Sequence, residues 1–360
     1  MKSSSLFVFV IVSLPFILLV ANSKAQQSKD AKMDVLFADY ARPNSPGASV
    51  IVIKNGKVLF KKAYGLANLE DKIPNTTATN YRLASVTKQF TAMAIMILAE
   101  HKKLSYADRL ADFFPGFPAY GKQITVRQLL NHSSGLIAYE DVMPDNTTMP
   151  LTDQDVLQYM KEQDHTYFTP GSEFRYSNTG YVLLGLIVEK TSGTSFEDFL
   201  TRNIFEPLRM SHTGFYSRDS SSDRRRAYGY SKRAEGFVRT DQSLTSSTRG
   251  DGVVYSSVED LFKWDQALYT TRVVSAATLQ EAFTPGIKID EKSGYGFGWF
   301  VENKRGLKTV WHSGNTIGFT HAIQRFPDQH FTVIIQANRN DAELSQLVDQ
   351  IDELYVFDDK

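Results

Sequence analysis

The chain has 360 residues, of which 42% are hydrophobic and 22% charged, and Lys plus Arg equal Asp plus Glu at 40 each. This is a globular composition, and its zero formal net charge gives no electrostatic drive toward nucleic acid or an acidic membrane surface. The absence of cysteine excludes thiol catalysis, disulfides and cysteine-ligated metals. The seven histidines show no metal-binding spacing, so we predict neither a metal site nor a cofactor.

The first residues have the organisation of a secretory signal peptide. Lys2 precedes the uncharged apolar stretch 6–20, and Ser23-x-Ala25 supplies small residues for cleavage. We therefore predict that residues 1–25 are removed and that the mature chain is periplasmic or secreted. An uncleaved anchor is the alternative, but this apolar run is shorter than the ~20 residues that a spanning helix needs. Since no second long apolar run follows, we expect no stable membrane insertion after cleavage.

In chain order, the first predicted elements form a β-hairpin, and helices follow. Residues 48–54 and 58–64 have strand character, and the Asn55-Gly56 pair between them favours a tight turn. The middle of the chain instead has apolar residues at helical spacing. Helices are predicted over 86–104, 151–163, 181–191, 194–203 (capped by Ser195) and 258–269.

The C-terminal part returns to strands. Strand patterns cover 295–301, 309–312, 319–326 and 331–337, and a closing helix is predicted over 342–355. Strands at both ends of a helical middle predict an α/β protein of the α+β type. It would contain one antiparallel sheet built from both chain ends, flanked by helices, with a mainly helical subdomain inserted over roughly 86–250.

The first motif that carries chemistry is Ser85-Val86-Thr87-Lys88. A serine hydroxyl is a poor nucleophile until a neighbouring base takes its proton, and Lys88 lies one helical turn from Ser85. The helix dipole and burial both favour a neutral, basic amine at Lys88. The Ser85 N–H, at a helix start, can donate to a developing oxyanion. The alternative is a helix cap followed by a surface lysine.

The second motif is Tyr176-Ser177-Asn178, which is the only Tyr-x-Asn in the chain and precedes a predicted helix. The phenol of Tyr176 can relay protons between a lysine and a leaving group. The carboxamide of Asn178 can hold both a lysine ammonium and a substrate amide. An ordinary loop tyrosine and a helix-capping asparagine are the alternative.

The third motif should be a strand segment of the type Lys/His-Ser/Thr-Gly, for which there are three candidates. Residues 212–214 follow a proline in a stretch without strand character, and residues 292–294 follow a charged turn. His312-Ser313-Gly314 ends a predicted strand, where a sheet edge can line a cleft. The glycine there would let a substrate backbone approach closely. We therefore favour His312-Ser313-Gly314.

The three motifs together resemble the serine β-lactamase and penicillin-binding protein superfamily, and within it the class C β-lactamase and DD-peptidase branch. They occur in the order typical of that branch, and the stretches 129–136, 170–181 and 295–299 are also similar to it. The resemblance covers nearly the whole mature chain.

The resemblance implies a role for each motif residue. Ser85 would form the acyl-enzyme, with Lys88 and Tyr176 moving protons. Asn178 and His312-Ser313-Gly314 would bind substrate, and the backbone N–H of Asn315 would complete the oxyanion hole with that of Ser85. His132 would be a structural residue near the cleft rather than a triad base.

The sequence departs from class C β-lactamases at His312, where those enzymes usually have lysine. A histidine titrates near neutrality, so we expect His312 either to bind an anionic substrate tail in a pH-dependent way or only to hydrogen-bond within the cleft. The predicted function is hydrolysis of an amide or ester bond in a small molecule or peptide, with a peptide ending in D-amino acids favoured. The alternatives are a β-lactamase, an esterase and a catalytically silent penicillin-binding or sensor domain.

Overall fold

The computed structural model describes residues 28–216 and 225–358. The predicted signal segment, 1–25, lies outside these ranges. Within them, no helix combines the length and the apolar character needed to cross a membrane.

The strands come from both ends of the chain. β1 (Ala48–Lys54) and β2 (Lys57–Tyr64) form the predicted hairpin, and Asn55 and Gly56 at its turn both have positive φ, as a tight hairpin turn requires. The other strands, in chain order, are β3 (Leu66–Asn68), β4 (Ile73–Pro74), β5 (Tyr81–Arg82), β6 (Tyr230–Arg233), β7 (Gly236–Arg239), β8 (Tyr255–Ser256), β9 (Ile287–Lys288), β10 (Ser293–Tyr295), β11 (Phe300–Lys304), β12 (Leu307–Thr316), β13 (Phe319–Phe326) and β14 (Phe331–Ala337).

The described residues contain an eight-stranded antiparallel sheet, in which the strand order is β2-β1-β14-β13-β12-β11-β10-β9. The N-terminal hairpin joins the C-terminal strands through β1 and β14, where Val50 lies opposite Ile335. This confirms the predicted fold class, with a sheet built from both chain ends and flanked by helices.

Most of the helices lie between β5 and β6. In chain order, the helices are α1 (28–36), α2 (Lys88–Glu100), α3 (Leu110–Phe113), α4 (Val126–Leu130), α5 (Tyr139–Val142), α6 (Asp153–Lys161), α7 (Asn178–Ser192), α8 (Phe196–Leu200), α9 (Val258–Ala267), α10 (Ala276–Ala282) and α11 (Leu344–Asp352). Ser195 caps α8, as predicted, by accepting a hydrogen bond from the Asp198 N–H. The 230–239 part of the chain, predicted to lie in the helical subdomain, forms the small hairpin of β6 and β7.

The sheet separates two hydrophobic cores because successive side chains of a strand point to opposite faces. On β1, Ile51 and Ile53 pack with the helices that lie between β5 and β6, including the almost entirely buried α2. Val50 and Val52 face the other core, which contains residues of α1 and α11. The helix α2 is therefore held between the sheet and the helical part, and this fixes the position of the residues at its N-terminus.

The prediction of one continuous strand over 295–301 was wrong. The chain reverses within this segment, so that Tyr295 at the end of β10 pairs with Phe300 at the start of β11. Gly298 has a φ of +79°, and a side chain at Gly296 would collide with the Ala282 carbonyl oxygen. Glycine is required at both positions, one for the turn and one for close packing.

Candidate active site

Ser85 lies in a short 3-10 turn, Ala84–Thr87, that leads directly into α2. Ala84 has a φ of +48°, which is unfavourable for a residue with a side chain. The Leu83 N–H before it donates to the Val254 carbonyl, at 2.8 Å, and ties the turn to its neighbours. Ser85 is partly exposed whereas Ala84 and Val86 are buried, so the turn presents the serine hydroxyl to solvent.

Lys88 is completely buried, with 0% of its surface exposed, so it is not the surface lysine of the alternative interpretation. Its Nζ is 3.1 Å from the Ser85 Oγ, 2.9 Å from the Asn178 Oδ1 and 3.0 Å from the Asp251 carbonyl oxygen. These three acceptors match the three N–H groups of a lysine ammonium. The structure therefore brings the first two predicted motifs together around one amine.

The Tyr176-Ser177-Asn178 segment enters the site at the start of α7. Ser177 is the N-cap, accepting from the Gly180 N–H, so Asn178 is not the capping residue of the alternative interpretation. The Lys88 Nζ lies 5.0 Å from the centre of the Tyr176 ring. The Tyr176 hydroxyl is buried without a hydrogen-bond partner among the described residues. An unsatisfied buried hydroxyl next to a lysine is available to a substrate atom.

His132 holds this segment in place. It is fully buried, and its Nδ1 accepts a hydrogen bond of 3.1 Å from the Ser177 N–H. Its ring lies 4.3 Å from that of Tyr176 and 4.5 Å from that of Tyr295, centre to centre. Burial, with the Lys88 charge nearby, holds the pKa of His132 well below its ordinary value. These contacts agree with the structural role that the sequence suggested.

The third motif lies on β12 at a strand edge. The neighbouring strand β11 pairs with residues up to Trp311, and among the described residues no strand pairs with that edge of β12 from His312 to Thr316. Of the two rejected candidates, His212 and Thr213 bond to Asp260, while 293–294 are already paired within the sheet. The free edge of β12 lies beside the Ser85 turn, because Gly314 packs against it.

His312 does not provide the titrating charge that the sequence suggested. It is 2% exposed, and its Nδ1 donates to the Ser313 carbonyl oxygen at 2.6 Å. Its Nε2 accepts from the Tyr295 hydroxyl at 2.9 Å, and burial keeps that phenol protonated by raising its pKa well above the ordinary value. Burial, reinforced by the Lys88 charge, lowers the pKa of His312 to about 3. The alternative, a hydrogen-bonding role within the cleft, fits these contacts.

A pH prediction follows from this neutral imidazole. Because the pKa of His312 is lowered to about 3, the residue stays uncharged from pH 5 to pH 8, and it adds no affinity for an anion at the acidic end of this range. We expect the ratio of kcat/KM for matched anionic and neutral esters to show no transition centred near pH 6.5. A transition there that disappears in the His312→Gln variant would contradict the assignment.

Gly314 allows β12 to pack closely against the Ser85 turn. A Cβ at this position would lie 2.3 Å from the Leu83 carbonyl oxygen, which is far inside van der Waals contact. The sequence suggested that this glycine makes room for substrate. The structure instead shows that it makes room for the turn that carries Ser85.

Gly314→Ala should therefore displace β12 from the Ser85 turn. A shift of about 1 Å in a catalytic group costs on the order of 10²-fold in rate, so we expect that loss in kcat/KM together with a lower Tm. Gly214→Ala is the matched control, since within residues 28–216 and 225–358 no atom beyond its two chain neighbours lies within 4 Å of a Cβ built there, and its φ is not in the left-handed region. Wild-type kcat/KM in Gly314→Ala would show that the close approach is unimportant.

Ser313 and Asn315 lie on the other face of β12. Neighbouring side chains on a strand alternate, so these two residues line a cavity of about 580 Å³ between the sheet and the start of α11. His312 also lines this cavity, whereas Lys88 and Asn178 are not among its lining residues.

Two contributors to the site were not found from the sequence. Asp251, in a Gly-Asp-Gly turn, offers its carbonyl oxygen to Lys88, and a Cβ at Gly250 would lie 2.1 Å from the Tyr181 carbonyl oxygen. Glu140, on the short helix α5, accepts a 2.8 Å hydrogen bond from the Asn178 Nδ2. The two glycines that flank Asp251 could have predicted the turn. No sequence pattern indicates Glu140, because its partner Asn178 is 38 residues away.

This site and sheet define a class of proteins, the serine β-lactamase and penicillin-binding protein superfamily with its β-lactamase/transpeptidase fold. Comparison with known proteins gives the same result. Residues 31–355 match the family described as Beta-lactamase, and the chain belongs to that family.

Three similar proteins illustrate the relationship. Penicillin-binding protein 4* of Bacillus subtilis is 35% identical over 341 residues, which are 90% of this chain and 75% of that protein. The octameric penicillin-binding protein homologue from Pyrococcus abyssi superimposes with a TM-score of 0.77 at 32% identity, covering 87% of this chain and 73% of that one. D-amino acid amidase from Ochrobactrum anthropi SV3, at 24% identity, shares the fold with a TM-score of 0.79 over 94% of this chain and 100% of that one.

Proposed function

We propose that this protein is a serine hydrolase that cleaves an amide or ester bond through an acyl-enzyme on Ser85. The observation that carries the proposal is the 3.1 Å distance from the Ser85 Oγ to the Nζ of Lys88, a lysine that is fully buried. A buried lysine amine that hydrogen bonds hold next to a serine hydroxyl is arranged for proton transfer, and not for fold stability alone.

The contacts of Lys88 explain how it would act as a base. The acylation step needs Lys88 in its deprotonated form, which keeps two N–H groups and one lone pair, whereas the ammonium form donates to all three acceptors. Asn178 and Asp251 supply acceptors for the two N–H groups, at 2.9 and 3.0 Å. The lone pair is then directed at the Ser85 hydroxyl, whose proton it takes as the Oγ attacks the substrate carbonyl.

The remaining groups serve the later steps. The oxyanion formed by attack would accept from the backbone N–H groups of Ser85 and Asn315. The Tyr176 hydroxyl, which has no described partner, would pass the proton from Lys88 to the leaving group. Water would then cleave the ester on Ser85 by the same proton transfers in reverse.

The favoured substrate is a peptide or amide that contains a D-amino acid. The resemblance to DD-peptidases suggested this class, and the similar proteins are, by their names, penicillin-binding proteins and a D-amino acid amidase. A β-lactamase and an esterase use the same acylation chemistry and remain the alternatives. A silent penicillin-binding or sensor domain is disfavoured because the serine and lysine are in contact. We also propose export, on the signal-like residues 1–25.

A substrate panel tests the proposal. We expect hydrolysis of D-alanyl amides or D-Ala-D-Ala peptides and of p-nitrophenyl esters, with slow turnover of a chromogenic cephalosporin. Fast cephalosporin turnover would assign the protein as a β-lactamase, and activity on esters alone would assign it as an esterase. No turnover of any substrate, with no covalent labelling by a fluorophosphonate, would overturn the proposal.

A further inference from the structure

The carbonyl oxygen that Asp251 offers to Lys88 belongs to an irregular segment, residues 246–252. This segment contains neither helix nor strand, so its backbone carbonyls need partners from outside regular structure. The carbonyls on either side of Asp251, those of Gly250 and Gly252, accept hydrogen bonds from buried side chains at 2.6 and 3.2 Å. The direction of the Asp251 carbonyl is therefore set by the side chains that hold its two neighbours.

Arg82 holds both ends of this segment. Its Nε donates to the Gly252 carbonyl at 3.2 Å, and its Nη2 donates to the Ser246 carbonyl at 2.9 Å. The Arg82 side chain is buried, and within residues 28–216 and 225–358 no carboxylate forms an ion pair with it. A buried cation without an anionic partner is costly for folding. Ion pairing therefore does not explain a guanidinium at this position.

The backbone of Arg82 is fixed beside the nucleophile. Arg82 ends β5, three residues before Ser85, and its carbonyl oxygen accepts a hydrogen bond from the His321 Nε2 at 2.5 Å. Strand β5 also pairs with β8. A single residue thus connects the strand that leads to Ser85 with the segment that supplies an acceptor to Lys88.

We propose that Arg82 is a positioning residue for the proton transfer between Lys88 and Ser85. Its two hydrogen bonds aim the Asp251 carbonyl at one N–H of Lys88, so that the deprotonated amine directs its lone pair at the Ser85 Oγ. Arg82 acts through the geometry of these bonds, not through its charge, and it does not contact substrate. This inference rests on the proposed function and adds to it a residue outside the three motifs.

The test is Arg82→Lys, assayed with a p-nitrophenyl ester at a temperature well below its measured Tm. Lysine keeps the positive charge but lacks the planar guanidinium that donates from two nitrogens. We expect kcat to fall about tenfold or more with KM unchanged, because displacing a catalytic group by about 1 Å costs on the order of 10²-fold in rate. Arg226→Lys is the matched control and should keep the wild-type kcat. Arg226 is also buried, but its side chain donates to Asp241 and Tyr255.

A second pair of variants tests the same segment from α2. The Thr91 hydroxyl is the group that donates to the Gly250 carbonyl. Thr91→Val removes this donor with little change of shape, whereas Thr91→Ser keeps it. We expect kcat to fall in Thr91→Val and to stay near wild type in Thr91→Ser, again with KM unchanged.

The other outcomes contradict the proposal in distinct ways. Wild-type kcat in Arg82→Lys would mean that its two hydrogen bonds do not position the base. A higher KM at unchanged kcat would mean that Arg82 shapes the substrate cleft, and an equal loss in Arg226→Lys would mean that a general loss of packing is responsible.

Two further results complete the test. If Arg82→Lys does not fold, the Thr91 pair decides, and wild-type kcat in Thr91→Val would overturn the proposal. Fluorophosphonate labelling of the wild type separates this inference from the proposed function. If Ser85 is labelled but the variants behave as wild type, the role of Arg82 is wrong while the acyl-enzyme stands. If Ser85 is not labelled, the proposed function itself fails.

Discussion

Replacing Ser85 with alanine will lower kcat by about 10⁴-fold or more and abolish covalent labelling. Removing the nucleophile of an acyl-enzyme mechanism leaves only substrate binding and oxyanion stabilisation, and losses of several orders of magnitude follow. The fold should be intact, because the Ser85 side chain is partly exposed and the hydrogen bond that it loses within the described part of the chain is the one from Lys88. Steady-state kinetics and gel labelling with a fluorophosphonate measure both effects.

The control for this variant is Ser172→Ala, which removes an exposed serine in the loop that leads to Tyr176. It should label and turn over substrate as wild type does. Labelling that persists in Ser85→Ala but not in another serine variant would place the nucleophile elsewhere.

Replacing Lys88 with alanine will be nearly as damaging to turnover. No other described amine contacts the Ser85 Oγ, and the variant leaves the acceptors on Asn178 and Asp251 without their donor. Each unsatisfied buried group costs about 1–3 kcal/mol, so a lower Tm should accompany the loss of activity. Kinetics and thermal unfolding, measured together, separate the two effects.

Lys88→Arg distinguishes a base from a simple positive charge. A guanidinium is not deprotonated near neutral pH, so it cannot accept the serine proton. We expect this variant to remain as inactive as Lys88→Ala even if its Tm is partly restored. An active Lys88→Arg enzyme would overturn the assignment of Lys88 as the base.

The elements predicted correctly from the sequence are those with local signals. The hairpin of β1 and β2 was predicted because Asn55-Gly56 encodes its turn. The Ser85 and Lys88 pair was predicted because three-residue spacing on a helix is local geometry, and the structure places the two side chains in contact. Strand β14 was predicted because aromatic, β-branched and apolar residues predominate over Phe331–Ala337.

The features that sequence reasoning missed depend on contacts between distant residues. The reversal between β10 and β11 arises where Gly296 packs against the Ala282 carbonyl, and strand propensity does not report such packing. His312 is neutral because it is buried, with Tyr295 as a hydrogen-bond partner, and the strand pattern gives no indication of that contact. Glu140 reaches the site only because α5 lies beside the start of α7.

The central claim is that Ser85 forms a covalent acyl-enzyme, and mass analysis of the labelled protein tests it most directly. Wild-type protein is incubated with a fluorescent penicillin or a fluorophosphonate, its intact mass is measured, and the modified peptide is sequenced. We predict one adduct per chain, located on the peptide that contains Ser85 and absent from the Ser85→Ala variant. An adduct on any other residue, or an unmodified mass with both reagents, would contradict the claim.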